Sequence, residues 1–228
     1  MSRGDKSLRL GIGLVSATTL LYELTQIRVF AYCLHPVVAF SAIALAMLGF
    51  GLGATLLALR PRWASGDLAG RLGALCGALA VSMVGANALF ALTSMHIIEP
   101  GSLQVQPLWT AVVLVPQVVP YLLGGLVTAL ILGAEVRRIG RIYFWNLAGS
   151  AAGAVAMVLL LRPVGAERLL LVSAALAAAS GIVLAAGAGR AVSRVRIGAL
   201  AAVAVAALGA LPFAEPLLPF RSDATGYN

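Results

Sequence analysis

The sequence predicts an all-α polytopic membrane protein, a transmembrane helical bundle of about seven spans. Of its 228 residues, 61% are apolar and only 11% are charged, against about a quarter charged in soluble domains. A soluble fold of this length leaves roughly a third of its extended-chain surface in water, so it could not hide this much apolar surface. Composition therefore excludes an ordinary soluble enzyme, a disordered chain and a disulfide scaffold.

A helix needs about 20 mainly apolar residues to cross a hydrocarbon core of about 30 Å. Seven segments of the sequence reach or nearly reach this length. They are Leu8–Tyr32, Pro36–Leu59, Leu72–Met95, Leu108–Gly133, Tyr143–Leu161, Arg168–Ala188 and Ile197–Phe213. The last is marginal, because Pro212 and Glu215 cut it short. We expect one membrane domain over residues 1–220 and a tail at 221–228, where a soluble domain would begin.

The first segment imitates a secretory signal peptide, since basic residues precede an apolar run from Leu10 to Tyr22. No small-x-small cleavage site follows at the right distance. The charged residues Glu23 and Arg28 follow the apolar run instead. The sequence therefore predicts an uncleaved first span.

The positions of the basic residues predict the orientation. Twelve of the sixteen fall in the N-terminal segment and in alternate loops, on one side of the predicted bundle: Arg3, Lys6, Arg9, Arg60, Arg62, Arg71, Arg137, Arg138, Arg141, Arg190, Arg194 and Arg196. The positive-inside rule makes that side cytoplasmic. The N-terminus is then expected inside and, with seven spans, the C-terminus outside. Because the net charge of +8 records orientation, and no basic run is interleaved with aromatics, no nucleic-acid partner is expected.

Glu23 is the one carboxylate clearly inside a predicted span, roughly 21 Å along the helix from Arg9. A carboxylate there should be protonated, paired or facing a polar cavity. Thr19 and Gln26 lie on the same helix face as Glu23 by their spacing. The sequence thus predicts a polar stripe along the first span.

Polar residues of two other spans are expected at a comparable depth. They are Asn87 in the third span and Gln117 in the fourth, the latter flanked by Pro116 and Pro120. Those prolines free backbone carbonyls that need partners in lipid. One interpretation is a pocket for a small polar or cationic ligand. The other is a hydrogen-bond cluster that locks the helices together.

Arg28 and Asn146 complete the candidate ligand-binding set. Arg28 is expected at the outer edge of the first span, either snorkelling to the interface or paired with Glu23. Asn146 is expected only about 7 Å above Arg141, near the inner face. There it would hydrogen-bond across helices or face a cytoplasmic partner.

Two glycine pairs have the small-xxx-small spacing that lets helix backbones approach closely: Gly49 with Gly53, and Gly149 with Gly153. The spacing fits helix packing within one chain and homodimerisation equally well, and a substrate-lining groove is the third alternative.

Catalytic and cofactor motifs are not found. The sequence contains no Walker loop, dinucleotide fingerprint, zinc-protease motif or nucleophile elbow. His35 and His96 are expected too far from other ligand types for a metal site. We therefore expect no catalytic centre, cofactor or metal in these residues.

Several segments resemble a known family. Tyr22-Glu23 followed by Arg28 is similar to the first-span motif of membrane-fused, spermidine-synthase-like proteins, and Gly49 to Gly53 to their glycine-rich second span. The strongest match runs from Gly140 to Gly153 and ends in Leu161-Arg162-Pro163-Val164-Gly165. The resemblance covers approximately Leu10 to Ala188. Spans three and four match poorly, and no proline follows Gly124-Gly125 in the fourth.

The resemblance implies a bacterial inner-membrane protein with an N-terminal helical bundle. A C-terminal aminopropyltransferase-like domain usually follows in such proteins. Related soluble enzymes transfer an aminopropyl group from decarboxylated S-adenosylmethionine to putrescine. None of that catalytic machinery precedes Asn228.

Three functions follow as hypotheses. The first is an integral membrane module that anchors or serves an aminopropyltransferase-like domain or partner protein. The second is a transporter of a small cation such as a polyamine, with Glu23 as the counter-charge. The third is a non-catalytic structural subunit of a membrane complex.

Overall fold

The computed structural model describes residues 3–33, 36–64, 66–93, 107–187 and 194–214. Its regular elements over those ranges are all helical. The α-helices are α1 (Arg3–Cys33), α2 (Pro36–Leu59), α3 (Leu68–Thr93), α4 (Pro107–Leu114), α5 (Val118–Ala134), α6 (Ile139–Val164), α7 (Ala166–Ala186) and α8 (Arg194–Gly209). The predicted all-α class is confirmed, and the predicted tail at 221–228 lies outside the described residues.

Six helical stretches in the described ranges are long and apolar enough to cross a membrane. They correspond to the first six predicted spans, the fourth being Ala111–Ala134. Chains with so many apolar helices of this length require a lipid bilayer as their solvent. The protein is therefore a multi-pass membrane protein.

The marginal seventh prediction corresponds to α8, whose apolar stretch Ile197–Gly209 is shorter than the other six. Leu200 near its start lies against Gly73 and Gly181. Ala210 just beyond its end shares a cavity with Ala88 and Leu171. Helix α8 therefore runs beside α3 in the same direction, over about 15 Å of the rise of α8.

Helix α1 lies at the centre of the bundle and packs against α2, α5, α6 and α7. Of its most apolar stretch 61% is buried, close to the 67% for that of α7 and far above the 17% for the stretch that includes α6 and 22% for that of α2. Large apolar side chains cover the outer faces of α2 and α6, among them Phe40, Met47, Phe144 and Val158. Those two helices present the lipid-facing surface of the bundle.

One end of the bundle collects the basic segments, and we call it the basic end. Asp5 there bonds to Arg9 one turn later and lies 3.4 Å from Arg138 of the turn before α6. Gly4 lies against Gly187 at the end of α7. Leu8, Trp63 and Leu68 pack on a single buried cluster, which places the α2–α3 connection at this end as well. Arg190 lies outside the described residues.

A single residue, Gly165, links α6 to α7 at the opposite end. Its φ of +88° is in the left-handed region that only glycine adopts without strain. Its amide donates to Leu161 O and its carbonyl accepts from Leu169 N, so both helix ends are capped. The Leu161–Gly165 motif is thus a helix–helix turn.

Candidate functional site

Four buried polar side chains meet in the half of the bundle away from the basic end, and we call them the polar cluster. Tyr22 and Gln26 lie one turn apart on α1, Asn87 lies on α3, and Gln117 ends the 3₁₀ turn between α4 and α5. Each is at most 1% exposed. The cluster therefore joins three separate parts of the chain inside the apolar core.

The position of Gln117 follows from a proline. Pro116 has no amide hydrogen, and it disfavours the α conformation in the residue before it. The fourth span accordingly breaks into α4, the 3₁₀ turn Val115–Gln117 and α5. The break carries Gln117 into the core, where its Nε2 donates to Ala86 O of α3 at 2.9 Å.

The amide nitrogen of Gln26 is the centre of the polar cluster. Three oxygens surround Gln26 Nε2: Gln117 Oε1 at 2.8 Å, Asn87 Oδ1 at 2.9 Å and Tyr22 Oη at 2.9 Å. An amide nitrogen has two hydrogens, so only two of the three bonds form at once. The cluster therefore has alternative bonding patterns of similar geometry.

Tyr22 Oη uses its whole hydrogen-bonding capacity within the cluster. It accepts from Asn87 Nδ2 at 2.8 Å and from Gln26 Nε2, and it donates to Gln117 Oε1 at 3.1 Å. Asn87 Nδ2 also donates to Met83 O at 2.7 Å. These bonds join α1 to α3 and to the 3₁₀ turn before α5, which is the kind of contact that the hydrogen-bond cluster interpretation expects.

Two fully buried oxygens near the cluster have no hydrogen-bond partner in the described structure. They are Gln26 Oε1 and the hydroxyl of Tyr121 on α5. The Tyr121 ring packs on that of Tyr22, with ring centroids 5.6 Å apart. An unpartnered buried polar atom costs about 1–3 kcal/mol. Gln26 Oε1 and the Tyr121 hydroxyl can thus each form a further hydrogen bond, for which the described side chains supply no partner.

Glu23 does not join the polar cluster, contrary to the layer expected from its spacing. Its side chain is partly buried, and no hydrogen bond or ion pair links it to another described residue. It lies within electrostatic reach of the Tyr121 hydroxyl. Glu23 is 60° from Gln26 around α1 by helix geometry, which turns its side chain away from Asn87 and Gln117.

Thr19 does not extend the expected polar stripe either, because its hydroxyl bonds to Val15 O and Ser16 O of its own helix. Such bonds to the preceding turn satisfy a hydroxyl within lipid. The structure thus brings together three of the six candidate ligand-binding residues: Gln26, Asn87 and Gln117.

Asn146 and Arg28 lie elsewhere. Asn146 is in α6, where Ser16 Oγ lies 2.6 Å from its Oδ1. This is a contact across helices, one of the two roles expected for Asn146. Arg28 is exposed and lines a cavity at the end of α1; no ion pair in the described ranges joins it to Glu23.

The glycine pairs lie where helix backbones meet. A Cβ on Gly149 would collide with Gly13 O of α1, and one on Gly153 with Ala17 O. A Cβ on Gly49 would lie 2.5 Å from Tyr121 Cβ, and one on Gly53 2.6 Å from Leu122 O. Contacts within the chain thus occupy both pairs, α6 against α1 and α2 against α5.

The residue that sequence reasoning missed as a site member is Tyr22. A signal was present, because Tyr22 lies four residues before Gln26 and therefore on the same helix face. The hydroxyl of a tyrosine that is buried in an apolar span needs a hydrogen-bond partner.

No group of three or more His, Cys, Asp or Glu side chains in the described ranges is placed to hold a metal ion. His35 and His96 lie outside those ranges. Cys33 and Cys76 are buried, and neither is in a disulfide within the described residues. In comparisons with known proteins, no family model, curated protein or solved structure matches this chain.

Proposed function

We propose that this chain is the membrane module of a spermidine-synthase-like protein, anchoring or serving an aminopropyltransferase-like domain or partner. One observation carries the proposal: segments in which the sequence resembles that family supply the helix contacts of the bundle. Gly49 and Gly53 join α2 to α5, Gly149 and Gly153 join α6 to α1, and Gly165 turns α6 into α7. A resemblance concentrated at packing positions supports a shared bundle whose role is to hold other parts in place.

The polar cluster supports an anchoring role over a moving one. Its side chains are buried and bonded mainly to one another and to carbonyls of α3. Polar side chains matched in this way act as glue between helices in lipid. A carrier whose cycle moves α1 against α3 would have to break these bonds, whereas a rigid anchor keeps them.

We further propose that the protein resides in a bacterial inner membrane with its basic end in the cytoplasm. Clusters of arginine and lysine stay on the cytoplasmic side during insertion, and the described basic segments lie together. Decarboxylated S-adenosylmethionine is a cytoplasmic metabolite, so a separate aminopropyltransferase partner would work at that end, whereas a domain fused after α8 would lie at the other.

The test is the location of aminopropyl transfer in cells with and without the chain. We expect deletion to lower the transfer of label from decarboxylated S-adenosylmethionine to putrescine in the membrane fraction. The wild-type chain should restore it and Gly149→Leu, which separates α1 from α6, should not. Gly51→Leu is the matched control, because a Cβ there meets nothing within 4 Å. Membrane activity that is unchanged by deletion would contradict the proposal.

A second candidate, a carrier of a small cation, has one observation in its favour. Glu23 is a partly buried carboxylate within electrostatic reach of Tyr121 Oη, a buried atom that has no hydrogen-bond partner in the described structure. Carboxylates inside spans commonly mark ion pathways. Proteoliposomes containing the protein would then take up labelled putrescine, and Glu23→Gln would abolish the uptake while Glu135→Gln would not. Wild-type proteoliposomes without uptake would exclude this candidate.

A further inference from the structure

A cavity of about 390 Å³ opens at the end of the bundle opposite the basic end, where α1 ends and α7 begins. Its lining comprises Arg28, Val29, Ala31, Tyr32, Ala166 and Glu167. Arg28 lies roughly 28 Å along α1 from Arg9, so the cavity is at the boundary between the apolar span and water. It contains no member of the polar cluster, and it is independent of the proposed function.

Two opposite charges line this cavity without pairing. Neither Arg28 nor Glu167 forms an ion pair or hydrogen bond with another side chain in the described ranges. The Glu167 carboxylate is held over the start of α7, since a Cβ on Gly165 would lie 3.4 Å from its Oε2. Arg28 projects from α1 as an exposed side chain. A cation and an anion are thus presented to the same space from two helices.

The lining also separates into polar and apolar parts. Val29 and Ala31 give the cavity an aliphatic wall, and Tyr32 adds an aromatic ring that is 63% exposed. Tyrosines at such boundaries have one side in lipid and the hydroxyl in the headgroup region. A ligand that fits has two opposite charges close together, with an adjoining hydrocarbon part.

We propose that the cavity binds a zwitterion containing a phosphate and a primary ammonium group, the chemistry of phosphoethanolamine. The Arg28 guanidinium is a planar fork that matches phosphate oxygens with two parallel hydrogen bonds. The ammonium group has three donors for the Glu167 carboxylate. The same chemistry occurs in the headgroup of an ethanolamine phospholipid and in free O-phosphoethanolamine.

The test is native mass spectrometry of the purified protein, titrated with phospholipids of identical acyl chains. We expect the ethanolamine lipid to bind about tenfold more tightly than the glycerol or choline lipid, because only its headgroup engages both charges through hydrogen bonds. Arg28→Gln should weaken ethanolamine-lipid binding about tenfold. Glu167→Gln should remove the preference for the ethanolamine lipid over the glycerol lipid.

Arg162→Gln is the matched control, an exposed arginine at the end of α6 that does not line the cavity. Arg28→Lys, which keeps the charge but loses the fork, should bind the ethanolamine lipid more weakly than wild type. Equal binding of the three lipids, or equal losses in the Arg28 and Arg162 variants, would overturn the proposal. Displacement by free O-phosphoethanolamine would assign the free zwitterion as ligand, and selective lipid binding without displacement would assign the lipid.

Discussion

Helix α1 is held on its two sides by different kinds of contact. Against α6 its backbone touches glycine, at Gly13 with Gly149 and at Ala17 with Gly153. Against α3 and the 3₁₀ turn before α5 it is joined by the side chains of the polar cluster. The glycine contact leaves no space for a single added carbon. The polar cluster instead has more acceptors around Gln26 Nε2 than that nitrogen can use.

The glycine contact and the polar cluster are expected to contribute differently to the stability of the bundle. Lipid is as apolar as the helix surfaces, so helices associate through close packing and through hydrogen bonds rather than by leaving water. Interhelical hydrogen bonds in membranes contribute only about 0.6 kcal/mol each on average. We therefore expect the glycine contact to tolerate substitution least and single polar contacts to tolerate it most.

The largest effect is expected from Gly149→Leu. The new side chain would collide with Gly13, and α6 would have to move away from α1, which costs about 3 kcal/mol or more. The measurement is the free energy of unfolding in mixed micelles. Gly140→Leu is the control on the same helix, because a Cβ there meets nothing within 4 Å. Equal stability of the two variants would show that the glycine contact between α1 and α6 does not stabilise the bundle.

An intermediate loss is expected from Tyr22→Phe. The change keeps the ring packing on Tyr121 but removes the oxygen that two donors and one acceptor of the cluster share. Leaving such buried groups unmatched costs about 1–3 kcal/mol. Unfolding of this variant is compared with that of Tyr143→Phe, whose ring is 51% exposed on α6. If both variants unfold alike, the hydroxyl of Tyr22 has no structural role.

A smaller effect is expected between Ser16 and Asn146. Their contact joins α1 and α6 on the same side as the glycines, and a double-mutant cycle with alanine isolates it. The expected coupling energy is about 0.6 kcal/mol. A coupling above about 1.7 kcal/mol, the largest in a series of such cycles in one membrane protein, would show that this polar contact is stronger than the comparison of the two sides of α1 assumes.

The smallest effect is expected from Glu23→Gln. Since no hydrogen bond or ion pair links Glu23 to another described residue, its replacement should change the free energy of unfolding by less than about 0.5 kcal/mol. Loss of stability comparable to that of Tyr22→Phe would mean that Glu23 contributes to the polar cluster after all. The free energies of unfolding of Glu23→Gln and Tyr22→Phe, measured at the same pH, decide between these outcomes.

The sequence was sufficient for the helices and for part of the candidate site. Apolar length located the first six spans, and small-xxx-small spacing identified glycines that lie at helix contacts. Helical spacing alone misplaced Glu23, because a shared face was assumed for residues that are 60° apart around α1. Which neighbour faces each side of a helix depends on the arrangement of all the others. Tyr22 was named only as the end of an apolar run and as part of a family motif, although its hydroxyl is the shared partner of the cluster.

The central place of α1 has a consequence for the making of the protein. Ser16 of α1 contacts Asn146 of α6, which lies 130 residues later in the chain. At about 5–20 residues per second of synthesis, the contact between Ser16 and Asn146 forms no sooner than on the order of ten seconds after Ser16 is made. Until then Ser16 has its bond to Ile12 O within α1, and Tyr22 has its bond from Gln26. Helix α1 has the lowest mean hydropathy of the six candidate spans, 1.2. The least apolar of the candidate spans is therefore made before the helices that enclose it in the finished bundle.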